Sequence, residues 1–192
     1  MQLYTALLTC ILVLSLTGGL KPFTAIFRLG RFQAAFFALC LLALSRFHFS
    51  PSPEMRFNLC ALALPFILIL WARAEGARGG AAAALAAFAL LAFGVERAGV
   101  FSGTGNGLLT GFIAGAAAAA LANTPRTALA VVVTVPLVCA LLASCYALLT
   151  GGYAVLDFSQ APLLDAQLSG LCFGSVLLCL HAVATAGERT EN

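Results

Sequence analysis

The sequence predicts an all-α fold, a polytopic transmembrane helix bundle with no soluble domain. Three observations lead there. Of 192 residues, 62% are hydrophobic and only 9% are charged, whereas a soluble domain carries roughly 25% charged residues. The mean hydropathy is +1.04. The charges also gather in clusters, such as Arg46 with Glu54 and Arg56, and Arg73 with Glu75 and Arg78, with long uncharged apolar stretches between them. A helix needs about 20 such residues to cross the hydrocarbon core. A membrane β-barrel would alternate apolar and polar residues over segments of about ten, and the Ala and Leu runs here do not alternate.

Seven spans follow from these stretches, at about 2–19, 33–49, 57–72, 80–95, 105–123, 127–149 and 168–186. The first ends at the Gly18-Gly19 breaker. It has no cation before its apolar run and no small-residue cleavage site after it, so it reads as a retained anchor. The second and fourth are short. If the fourth is not a crossing, the count is six and everything after it inverts. The longest loop is about 150–167, and the chain forms one integral membrane domain over 1–192.

Cations set the orientation. With the N-terminus outside, the inner side holds Lys21, Arg28, Arg31, Arg73, Arg78, Arg126 and Arg189, against Arg46, Arg56 and Arg97 outside. That excess favours an N-terminus outside and a C-terminus in the cytoplasm, in a cell membrane. Phe23, Ile26 and Phe27 fall on one side of the stretch Lys21–Gln33, with Thr24, Arg28 and Arg31 on the other. This suits either an ordinary cationic inner loop or a short helix in the headgroup layer. The net charge of +3 is spread over loops with no basic stripe, so nucleic acid is not an expected partner. The lipid bilayer is.

The most distinctive pattern is GTGNGLLTGFIAGAAAAALAN at 103–123. Gly103, Gly107, Gly111, Gly115 and Ala119 recur every fourth residue, and Gly170 and Gly174 repeat the step in the seventh span. Helices in lipid associate by close packing, and small residues four apart let two backbones approach. The fifth span is therefore expected at the centre of the bundle, against the fourth and seventh. The Gly107-Gly111-Gly115 face serves either packing within the chain or a contact with a partner membrane protein or a second copy. Glycine-rich helix breaks also line midplane sites in transporters, and Asn106 at the head of the ladder is placed to cap the helix.

The five residues GTGNG resemble the glycine-asparagine loop of the membrane glycerol-phosphate acyltransferases, which are similarly small and polytopic. The likeness stops there. That family's later glycine- and lysine-rich phosphate loop is absent, Lys21 is the only lysine, and the activity is not carried over. In length and small-residue faces the chain also resembles the substrate-binding components of energy-coupling-factor vitamin transporters.

Chemistry-bearing residues are few. Membrane enzymes and ion-coupled carriers place ionisable groups within their spans, and here His181 is nearly alone there. His48 lies near Arg46 at an outer boundary, and pairing it with Cys60 as a nucleophile would need a coincidence of fold. The seven cysteines contain no C-x-x-C, and Cys172 and Cys179 lack a carboxylate or histidine to complete a metal site. No cofactor, metal or catalytic residue is expected, and the chain is read as a non-enzyme. Asp157 and Asp165 share the 150–167 loop with Tyr153, and Asp165 is expected to cap the seventh helix. Pro136 should free a carbonyl in the sixth span, with Thr134 nearby to compensate. The candidate ligand-binding residues are Asn106, Thr110, Thr134, Tyr146, Asp157 and Asp165, with Ser144 beside them. The expected function is a small transporter, or the membrane-embedded substrate-binding subunit of one. The alternative is a scaffold that binds partner helices through the glycine face.

Overall fold

A computed structural model describes residues 3–21, 24, 27–74, 80–97, 111–117, 124–152 and 156–190. Among them the chain is mostly helical. In order come α1 (Leu3–Thr17), α2 (Arg31–Leu44), β1 (His48–Ser52), β2 (Met55–Asn58), α3 (Leu59–Ala74), α4 (Gly80–Arg97), α5 (111–117), α6 (Pro125–Leu149), β3 (Leu156–Phe158) and α7 (Ala161–Thr190). Two helical stretches, Pro125–Leu149 and Ala161–Ala184, are long and apolar enough to cross a membrane. α1, α2 and α3, at 15, 14 and 16 residues, fall short of the roughly 20 that a perpendicular crossing takes.

Three sequence expectations need correction. The second helix stops at Leu44 instead of running to 49, and the carbonyls of Ser45 and Phe47 accept from Asn58 and Leu59 rather than from a further helical turn. The chain forms a hairpin there, β1 antiparallel to β2, and β3 adds to β2 in parallel. Pro51 sits in the edge strand, where a missing donor is tolerated. The seventh helix begins at Ala161 rather than 168, so much of the expected long loop is strand and helix.

The third correction concerns the centre of the bundle. That place belongs to α6, whose residues from Ala128 to Pro136 are buried without a break. A helix apolar and buried all round is an interior helix. Thr124 caps it, its hydroxyl accepting from the Thr127 amide, and Pro125 fills the first turn, where its missing N–H costs nothing. α6 packs on α3, α4 and α7, and α1 packs on α2 and α7.

The described part of the glycine ladder meets α7 of the same chain. A Cβ on Gly111 would stand 2.9 Å from the Gly170 amide nitrogen and would collide with the Ser169 hydroxyl. One on Gly115 would lie 3.1 Å from both the Gly170 carbonyl oxygen and the Gly174 nitrogen. One on Gly170 would meet Val132 of α6 at 2.7 Å. Gly103, Gly107 and Ala119 lie outside the described residues.

One buried side chain ties three helices together. Pro65 in α3 leaves the Ala61 carbonyl without its helical donor, and Pro136 in α6 does the same for Val132. Gln167 of α7 is fully buried between them. Its Nε2 donates to the Ala61 carbonyl and to the Val133 carbonyl, each at 3.0 Å. Thr134 does not serve the proline break as expected, because its hydroxyl donates one turn back to Ala130.

Two outcomes follow for stability. Gln167→Leu strips the Ala61 carbonyl of its donor, and the variant should lose about 2–3 kcal/mol in reversible unfolding from mixed detergent. An unchanged midpoint would show that the amide carries no load. Gly111→Ala should sharply lower the yield of folded protein, because backbone cannot retreat from the new methyl. Gly94→Ala, with nothing within 4 Å of the added carbon, should leave the yield as it is.

Candidate functional site

The bundle has two chemically different ends. At one lie the start of α1, the end of α2, the start of α3, the sheet and the start of α7. Asn58 stitches two of these together. Its Nδ2 donates to the Ser45 carbonyl at the end of α2, and its Oδ1 accepts from the Cys60 amide in the first turn of α3. Asp165 stitches two more. Its carboxylate accepts from the Tyr4 amide at 2.8 Å, satisfying a free donor in the first turn of α1. Asp165 therefore caps α1 and not α7 as expected, because α7 begins four residues before it.

Asp157 is also committed to the chain. Its carboxylate accepts from the Ser159 amide and hydroxyl and from the Gln160 side chain. It faces Arg56 across the parallel β2–β3 pair, and Phe57 stacks on Phe158 beside them at 5.6 Å. Burial pushes the Asp157 carboxyl up, but the Ser159 and Gln160 hydrogen bonds and the Arg56 charge outweigh it and hold it below its usual value. Two polar clefts of about 520 and 290 Å³ adjoin here, sharing His48 and Ser159, with Arg56 lining one and Arg46 the other.

The other end is built from the close of α1, the start of α2, the close of α3 and the start of α6. There the Arg126 guanidinium lies over the Trp71 ring, 4.2 Å from its centre, and donates to the Phe27 carbonyl. Phe27 is buried and tilts against the same ring at 6.2 Å. A cation over an indole face is a favourable contact, and here it closes one wall of a cavity of about 360 Å³. The cavity runs inward between α1, α2, α3 and α7, walled by such residues as Leu7, Ile11, Phe37, Leu68 and Leu171. Its few polar neighbours are small: Cys10, Thr24, Cys172 and Ser175. Its volume falls in the range of small-molecule sites, about 300–1,000 Å³.

The expected ligand residues do not converge. Asn106 and Thr110 lie outside the described residues. Thr134 is buried, and Tyr146 stands edge-on to Phe93 at 6.2 Å on the far part of α6. Neither they nor Ser144 line any of these three cavities. His48 is exposed and Cys60 fully buried, so they form no reactive pair. Among the described residues no group of three histidines, cysteines or acids could hold a metal ion.

Sequence reasoning missed Gln167, Asn58 and the Arg126–Trp71 pair. Asn58 carried a signal, an asparagine directly before an apolar run. So did Gln167, because a glutamine in an apolar helix needs a partner, but it fell outside the span as drawn. No family profile, curated protein or solved structure matches the chain.

The Asp157 turn should be insensitive to pH across the neutral range. A carboxyl held low in the folded state contributes stability that is present above its unfolded pKa of about 4 and is lost as pH falls through the folded value. Hydrogen exchange at the Ser159 amide, corrected for intrinsic rate, should therefore accelerate only under acid. Asp157→Asn should remove that acid step. A step that persists in the variant would assign it to another group.

Proposed function

We propose that the chain is a multi-pass membrane protein that binds a small molecule in the apolar cavity, as a transporter or as the membrane-embedded substrate-binding subunit of one. In this reading the N-terminus is outside, the C-terminus is cytoplasmic, and the cavity opens toward the inner, cation-rich end. The observation that carries the proposal is the pairing of an apolar cavity between helices with an apolar exterior. Phe36 is 69% exposed, Leu180 61% and Val183 70%, on two helices. Large apolar side chains presented outward in such number suit hydrocarbon and not water. The short helices fit this frame where connecting turns and interfacial residues complete the crossing.

Gly111 and Gly115 are already occupied by α7, so the described ladder leaves a partner helix no room to approach. That favours binding over assembly through this face.

A photoreactive diazirine-bearing alkyl alcohol tests the reading on the full chain in lipid nanodiscs. Labelling should concentrate on the peptides spanning Leu7–Leu14 and Leu171–Val176. Cys172→Phe, which puts a ring into the cavity, should lower it several-fold, while Gly94→Ala should not. Label confined to outward residues such as Phe36 and Val183 would sink the cavity as a binding site.

A further inference from the structure

The cavity has one chemical character along its length and another at its mouth. Its lining contains no acid, amide or cation. A ligand body seated there gains from burial and must itself be apolar, because a polar group would lose its hydration without a partner. The volume of about 360 Å³ equals roughly a dozen water-sized groups of about 30 Å³ each. A methylene is about that size, so the space suits the length of a single alkyl tail.

The chain around the lining residues at one end of the cavity is rich in cations. Arg126 closes the wall through Trp71 and Phe27, both of which line the cavity. Lys21 follows the lining residue Leu20, and Arg28 stands between the lining residues Phe27 and Leu29, with Arg31 three residues on. Arg28 is also held at a φ of +52°, a left-handed conformation that costs a non-glycine residue about 1–2 kcal/mol. The chain keeps arginine where glycine would relieve that cost. Arginine forks match phosphate and carboxylate oxygens in paired hydrogen bonds.

Resting on the cavity as a binding site, we infer that its occupant is a single-tailed amphiphile with an anionic head, drawn from the inner leaflet. The tail lies between α1, α2, α3 and α7. The head sits at the level of Trp71, where Arg126 and Arg28 receive it. Trp71 then has two tasks, an apolar wall for the first carbons of the tail and a platform that aims the Arg126 guanidinium.

The test compares a diazirine-bearing alkyl phosphate with the matched alkyl alcohol, on the full chain in neutral-lipid nanodiscs. The phosphate should label the Leu7–Leu14 and Leu171–Val176 peptides about tenfold more strongly than the alcohol, the ratio that one well-placed charged contact supplies. Arg126→Gln and Arg28→Gln should each bring that ratio toward one. Arg126→Lys, which keeps the charge and loses the fork, should keep part of it. Arg46→Gln, at the opposite end of the bundle, should leave it alone. Equal labelling by the two probes in the unaltered protein, or a ratio that survives both glutamine variants, overturns the anionic head while leaving the cavity as a site for neutral chains. Failure of both probes to reach the cavity peptides would instead overturn the binding reading beneath it.

Discussion

A backbone carbonyl buried among hydrocarbon must find a donor, and two prolines in this chain take donors away. Pro65 and Pro136 each open a gap in a helix that the core cannot fill with water. One amide answers for the carbonyl that Pro65 frees and binds α6 beside the one that Pro136 frees. Gln167 donates to the Ala61 carbonyl in α3 and to the Val133 carbonyl in α6, which fixes the depth and rotation of α7 against both. Hydrophobic contact alone would not do this, because it is non-directional and permits sliding. The two hydrogen bonds supply register.

With α7 placed, the close approaches on its other faces become possible. Gly170 and Gly174 lie against Gly111 and Gly115, and Val132 of α6 fills the remaining gap. At these four glycines the helices are packed to the backbone. The opposite side of α7 meets α1 differently. The Asp165 carboxylate holds the Tyr4 amide at the sheet end, and Asn58 locks the α2–α3 corner beside it. Toward the other end Arg126 joins the start of α6 to Phe27 and to Trp71 of α3, and the 360 Å³ cavity lies between α1, α2, α3 and α7.

Much of this organisation was legible in the residues. Helix occurs at every predicted span, over 111–117 in the fifth, because apolar run length and charge clustering act locally along the chain. The small-residue steps at Gly111, Gly115, Gly170 and Gly174 were visible in the spacing for the same reason, but not which helix each would meet. The site was much less so. Thr134, Tyr146, Asp157 and Asp165 stand out as polar in an apolar chain, and the last two spend their carboxylates on the chain's own amides. A polar residue announces that it needs a partner but not whether that partner is a ligand or a backbone group 161 positions away.

The division is physical. Composition, spacing and the position of Pro136 by themselves determined that the chain is helical, apolar and short of one helical donor in its sixth span, because each depends on a residue and its near neighbours. Which helix is central, what Gln167 and Asp165 bind, and where a cavity remains were decided only in three dimensions. Those are properties of surfaces brought together from distant parts of the chain. A void in particular has no residue of its own, and exists only where α1, α2, α3 and α7 fail to close on one another.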